Sequence, residues 1–198
     1  MRTLIAAVAV SLLASGAFAG GLGGIDPKAS APLAVVASDH APGSCHVRIA
    51  ANGMQLPDES CSPGAVNPTL TPDVLRDPAF RTGVVRDKLT SAAMKRKTYA
   101  WYGIAPPKNN TGQTQVCELD HVVDLSAGGA DSLANIWPQC QAVGAAPVAV
   151  GDREFKIKDR FAEHVMIAKV KAGVTPAELA DLQERIAADW TQFLPTGR

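Results

Sequence analysis

The chain has 198 residues, 46% of them hydrophobic, and balances 19 basic against 19 acidic side chains. That length is enough for one domain with a real core and hardly enough for two. The balanced charge counts against a tight, uniformly basic nucleic-acid binder, so any phosphate contact must come from local clusters of Lys and Arg.

Residues 1–19 read as a secretory signal: Arg2, an apolar run from Leu4 to Leu13, and a small-residue cleavage site at Ala17-Phe18-Ala19. The run is too short to span a bilayer and no other segment is a candidate, so a protein exported to the periplasm or beyond is expected, without membrane contact after cleavage. Residues 20–44 are dominated by Gly, Ala, Pro and Ser without periodicity and read as a flexible leader. Residues 45–198 form the expected domain. Its cysteines are Cys45, Cys61, Cys117 and Cys140, and an even number in an oxidising compartment favours disulfides. Three pairings are possible; Cys45 with Cys61 and Cys117 with Cys140 is preferred because each closes a short loop.

Leu56 to Gly64 is turn chemistry, and Thr71-Pro72-Asp73 starts a short helix. Thr90 caps a helix running to Tyr102, with Met94, Trp101 and Tyr102 on one face. Arg81, Arg86, Lys88 and Lys95-Arg96-Lys97 make a first basic stretch, and Arg153 to Arg160 a second. Val116 to Leu125 reads as a strand entering a turn at Gly128-Gly129. A long helix begins near Asp152, carries Ile157, Phe161, Val165 and Ala168 on one side, and stops at Gly173. Thr175-Pro176-Ala177-Glu178 is a capping box that opens a last helix over 176–193, with Leu179, Leu182, Ile186 and Trp190 as its buried stripe.

The chemistry concentrates in Glu118-Leu119-Asp120-His121 and in Asn135-Ile136-Trp137-Pro138. Hydrolysis of a phosphodiester needs a base to deprotonate water, which suits imidazole, and positive charge at the crowded phosphate. Adjacent strand residues point to opposite faces, so Asp120 and His121 need a bend to act on one phosphate.

Glu-x-Asp-His, an aliphatic pair, Leu, Gly-Gly and Asn-Ile-Trp-Pro together resemble the HNH (ββα-metal) nucleases. More narrowly, the chain is similar to small secreted bacterial HNH-like proteins. The likeness runs through Pro57-Asp58, Cys61 and Pro63 to Pro68, then Thr90, Lys95, Tyr102-Gly103, Lys158-Asp159-Arg160 and Asp189-Trp190. It covers the chain from about Pro57 to Trp190. The resemblance implies an α+β fold with a ββα-metal centre (site segment 116–172), additional helices and disulfide support.

It also implies roles. His121 would be the general base, Asp120 a metal ligand, and Asn135 a residue that fixes the loop or approaches the metal. HNH enzymes usually present a final His or Asn early on the helix, whereas Lys156 falls near that place, and a protonated lysine cannot ligate a metal. Asp159 would then substitute as ligand, with Glu118 and His164 as weaker choices, while Lys156, Lys158 and Arg160 would meet phosphate. Magnesium is the expected ion for such an oxygen-rich site, with manganese, nickel or zinc as alternatives. The expected activity is metal-dependent hydrolysis of DNA or RNA by an exported nuclease. The rival expectations are a secreted binding module with a degenerate site, and a structural protein in which Asp120 and His121 satisfy each other. Nothing in the sequence names an immunity or other protein partner.

Overall fold

A computed structural model describes residues 39–86, 95–141 and 148–196. The signal segment, most of the leader, Lys88, the Thr90 cap and Met94 lie outside the described residues. The chain is α+β, with two small antiparallel sheets, helices and two disulfides.

The first strands, β1 (Arg48–Ile49) and β2 (Gln55–Leu56), form a short antiparallel ribbon. Thr71 then ends the extended chain: its side chain accepts from the Val74 N–H and caps α1 (Pro72–Arg76). Helix α2 (Lys97–Trp101) is the described part of the helix expected over 90–102, and its Trp101 and Tyr102 are buried as expected. A second ribbon pairs β3 (Cys117–His121) with β4 (Ile136–Cys140). After it come α3 (Glu154–Ile157), a π-helical turn (Lys158–Glu163) and α4 (His164–Ala172), continuous with one another, and then α5 (Pro176–Ala188). The α5 capping box is complete, with Thr175 and Glu178 each bonding the other's backbone N–H. A 3₁₀ turn, Trp190–Phe193, replaces the end of the helix expected to reach Phe193.

Two expectations are corrected. The strand ends at His121 rather than near Leu125 because the chain bends there to start the loop, and Ile136–Cys140 is a strand despite Pro138, which a two-stranded ribbon tolerates on its open edge. On the long helix Ile157 is buried as expected, but beyond it the buried side runs through Lys158, Ala162, Met166 and Val170, while Val165 is 37% exposed and Ala168 faces solvent. The π turn is the cause, since its wider winding rotates the face away from the α-helical stripe through Phe161 and Val165. Leu179, Leu182, Ile186 and Trp190 are all buried and close the larger core with Met166 and Val170.

Both expected disulfides are present. Cys45 and Cys61 have Cα atoms 6.1 Å apart, and Cys117 faces Cys140 directly across the β3–β4 ribbon at 4.0 Å. The second closes 23 residues that contain the whole loop between the strands. Replacing both Cys117 and Cys140 by Ser is expected to cost about 3 kcal/mol in urea unfolding, from the chain entropy returned to the unfolded state. A loss under about 1 kcal/mol would mean that the ribbon closes that loop unaided.

Candidate active site

The loop joining β3 to β4 is held by Asn135, which is wholly buried. Its Oδ1 accepts from the Val123 N–H at 2.9 Å, and its Nδ2 donates to the carbonyls of Val123 and Ala130, both at 2.8 Å. Its side chain therefore fixes the loop and is fully engaged with backbone. Residues 64–67 brace the outside of the same loop, through Asn67 N–H to the Gly128 carbonyl and Ala130 N–H to the Ala65 carbonyl. Gly129 sits where these chains converge: a Cβ there would lie 1.9 Å from the Val123 carbonyl oxygen and 2.7 Å from Asn135 Nδ2. Gly129→Ala is expected to destabilise the fold by about 3 kcal/mol, the upper end for overpacking, because backbone rather than a movable side chain blocks it. A thermal melt within about 1 °C of wild type would contradict that packing.

Asp120 and His121 occupy successive places in a regular ladder, opposite Trp137 and Ile136, and so point to opposite sides of β3. They do not pair with each other. On the His121 side, Nε2 lies 2.8 Å from Asp131 Oδ1, and Lys95 Nζ donates to the same oxygen at 2.7 Å. Burial alone would raise the Asp131 carboxyl, but hydrogen bonds from His121 and Lys95, with their charge, hold it down at about 2. Asp131 is thus a carboxylate that accepts the Nε2–H, which leaves Nδ1 of His121 as the basic nitrogen. A cleft of about 390 Å³ opens on this side, walled by Lys95, Arg96, Tyr99, Pro106, Pro107, Asn110 and Leu119.

A folded-state value below the ordinary carboxylate one has a definite sign. The stability Asp131 contributes is complete above its usual pKa of 3.8 and disappears as pH falls toward about 2. We expect Asp131→Asn to be less stable than wild type near neutrality, with the gap narrowing by about 2 kcal/mol through this acid window. A gap independent of pH in chemical unfolding would contradict it.

The other side of β3 faces the long helix. Lys158, 0% exposed, donates to Asp120 Oδ2 at 2.6 Å, to the His121 carbonyl at 2.7 Å and to Glu163 Oε1 at 3.1 Å. Burial would lower its pKa, but Asp120 and Glu163 outweigh that and keep the ammonium protonated far above neutrality. Burial raises the Asp120 carboxyl, opposed by the Lys158 charge and reinforced by Glu163, so the two acids share one ammonium and titrate as a unit. Nearer the surface, Lys156 bridges Glu118 at 2.7 Å and Asp159 at 2.8 Å.

The expected phosphate contact by Lys158 is therefore corrected: its ammonium is spent inside the protein. Lys156 is about one-third exposed but already paired, and Arg160 is exposed and stands over the Phe161 ring. His164 faces solvent and bonds the Arg160 carbonyl at 2.5 Å, away from the carboxylates. In the first basic stretch Lys95 is turned inward to Asp131, and Arg81 bonds the carbonyls of Pro78 and Phe80.

Asp120, Asp159 and Glu163 each place an oxygen within 4.8 Å of the others, a group that could hold a metal ion. His40, Cys45 and Cys61 are similarly close, but the two sulfurs are bonded to each other and cannot serve as ligands. The carboxylate group suits a hard cation by donor type. Its geometry does not: Asp120 and Glu163 close on the Lys158 ammonium at hydrogen-bond distances, and a divalent ion in the same place would meet that charge.

Sequence reasoning missed Asp131 and Glu163, and it named Lys95 in the family likeness and as surface charge but not as a partner of Asp131. Lys158 and Glu163 are five residues apart, a separation that meets across a π turn and not across an α turn. Comparison with protein-family models, with curated proteins and with solved structures finds no match to this chain.

Proposed function

We propose that the chain is an exported HNH-like phosphodiesterase that hydrolyses DNA or RNA, with His121 as its general base. The observation that carries this reading is the linked series Lys95, Asp131, His121, of which Lys95 lines the open cleft. An ionised Asp131 fixes the imidazole tautomer, Lys95 holds Asp131 in place, and the exposed Arg96 brings positive charge to the cleft wall. In the step proposed, Nδ1 takes a proton from water, the water oxygen bonds to phosphorus, and the ester bond to the leaving oxygen breaks as that oxygen gains a proton from solvent. Asn135 has a positioning role, since it holds the loop that carries Asp131.

Magnesium is the ion the HNH resemblance brings, with manganese, nickel or zinc behind it, and Asp120, Asp159 and Glu163 are the residues that would have to hold it. Because the Lys158 ammonium already stands among them, no step here depends on a metal. Export is supported by the two disulfides, and no helix among the described residues is long and apolar enough to cross a membrane.

The same buried Lys158 favours a second reading, a secreted module that binds nucleic acid without cutting it. Incubating the oxidised mature protein with plasmid, linear DNA and RNA, in EDTA and with each divalent ion, separates the two. Cleavage of any substrate supports the phosphodiesterase. Retention of nucleic acid with no cleavage under any condition overturns it in favour of the binding module.

A further inference from the structure

We infer that the Lys158 ammonium is the resident cation of this centre, standing between β3 and the helix where a divalent ion would otherwise sit, so that the protein neither needs nor takes a metal there. An ammonium has three N–H donors, and all three are used: one on Asp120, one on Glu163, one on the backbone carbonyl of His121. The group is fully buried, on the same helix stripe as the core residues Ala162, Met166 and Val170. A surface lysine that strayed onto an acidic patch would keep an exposed stem and free donors; this one has neither.

The bond to the His121 carbonyl ties the cation to the base. Lys158 fastens the backbone of His121 from one side of β3 while Asp131 orients the ring from the other. A metal bound through carboxylate ligands would leave that carbonyl to find another partner. The contact makes Lys158 a positioning residue for His121 as well as a counter-charge for Asp120 and Glu163.

This inference concerns which cation occupies the centre and is read out by metal binding, so it stands or falls separately from cleavage. Removing the ammonium while keeping the carboxylates should create the metal site that the wild type lacks. The experiment is Mn²⁺ titration followed by electron paramagnetic resonance, together with thermal melts in EDTA and in Mn²⁺, on the oxidised mature protein and on Lys158→Ala and Lys158→Ser.

The wild type is expected to bind no stoichiometric Mn²⁺ and to melt at the same temperature in both solutions. The variants are expected to bind about one Mn²⁺ per chain, at least about 100-fold more tightly than wild type, and to melt several degrees higher with Mn²⁺ than with EDTA. A variant that folds only when Mn²⁺ is added counts as support. One equivalent bound by the wild type and lost in Asp120→Asn would overturn the inference. So would variants that bind no Mn²⁺ when folded, or that stay unfolded with and without it, because the carboxylates would then not be a seat for any other cation.

Discussion

His121→Ala is expected to lower nucleic-acid cleavage by about 100- to 10,000-fold, the usual contribution of a general base, with a smaller loss of stability of about 1 to 2 kcal/mol from the hydrogen bond to Asp131. The side chain is only slightly exposed but makes one bond, to Asp131, and Lys95 remains to satisfy that carboxylate after truncation. The backbone carbonyl that receives Lys158 is unaffected by the substitution. Asp131→Asn should cost less than His121→Ala, since it spoils the tautomer preference without deleting the base. Equal cleavage by wild type and His121→Ala would remove His121 from the mechanism.

The second large effect is on stability. Lys158→Met keeps most of the aliphatic stem but leaves Asp120 and Glu163 facing each other without a counter-charge, and loss of about 3 to 5 kcal/mol is expected. Pairing it with Asp120→Asn should restore part of that loss, because the buried charge that Lys158 compensated is then gone as well. The double variant is expected to be more stable than the sum of the single effects by at least about 1 kcal/mol in urea unfolding. Strict additivity would mean that the 2.6 Å contact carries no coupling.

Local signals were legible where one short stretch decides the structure. Thr175-Pro176-Ala177-Glu178 is a capping box because every contact it needs lies within one turn, and the stripe from Leu179 to Trp190 follows from periodicity alone. Loop length was enough to prefer the two cysteine pairings. The helix carrying Lys158 was legible in extent but not in face, because no residue type marks a π turn and the stripe through Val165 fits an α-helix better. A lysine in Lys-Asp-Arg reads as surface charge until Asp120 and Glu163 are seen to converge on it.

The centre itself was half legible. Asp120, His121 and Asn135 stand out as a motif, yet only the fold reveals that Asn135 is consumed by backbone and that no bend brings Asp120 and His121 to one face of the strand. Asp131 lies ten residues beyond His121 with no flanking pattern of its own; the loop folding back on Asn135 brings it to the imidazole. Lys95 comes from a different element altogether, and its inward turn splits a basic stretch that looked like one phosphate-binding face.

The most direct test of the account is a cleavage assay of the oxidised mature protein and of His121→Ala on single- and double-stranded DNA and on RNA, run in EDTA and again with magnesium. The account predicts cleavage by the wild type that persists in EDTA and is lost in His121→Ala. Cleavage only with magnesium would keep His121 as the base and contradict the metal-free step proposed for it, whereas no cleavage by the wild type under either condition, or equal cleavage by both proteins, would contradict the central claim.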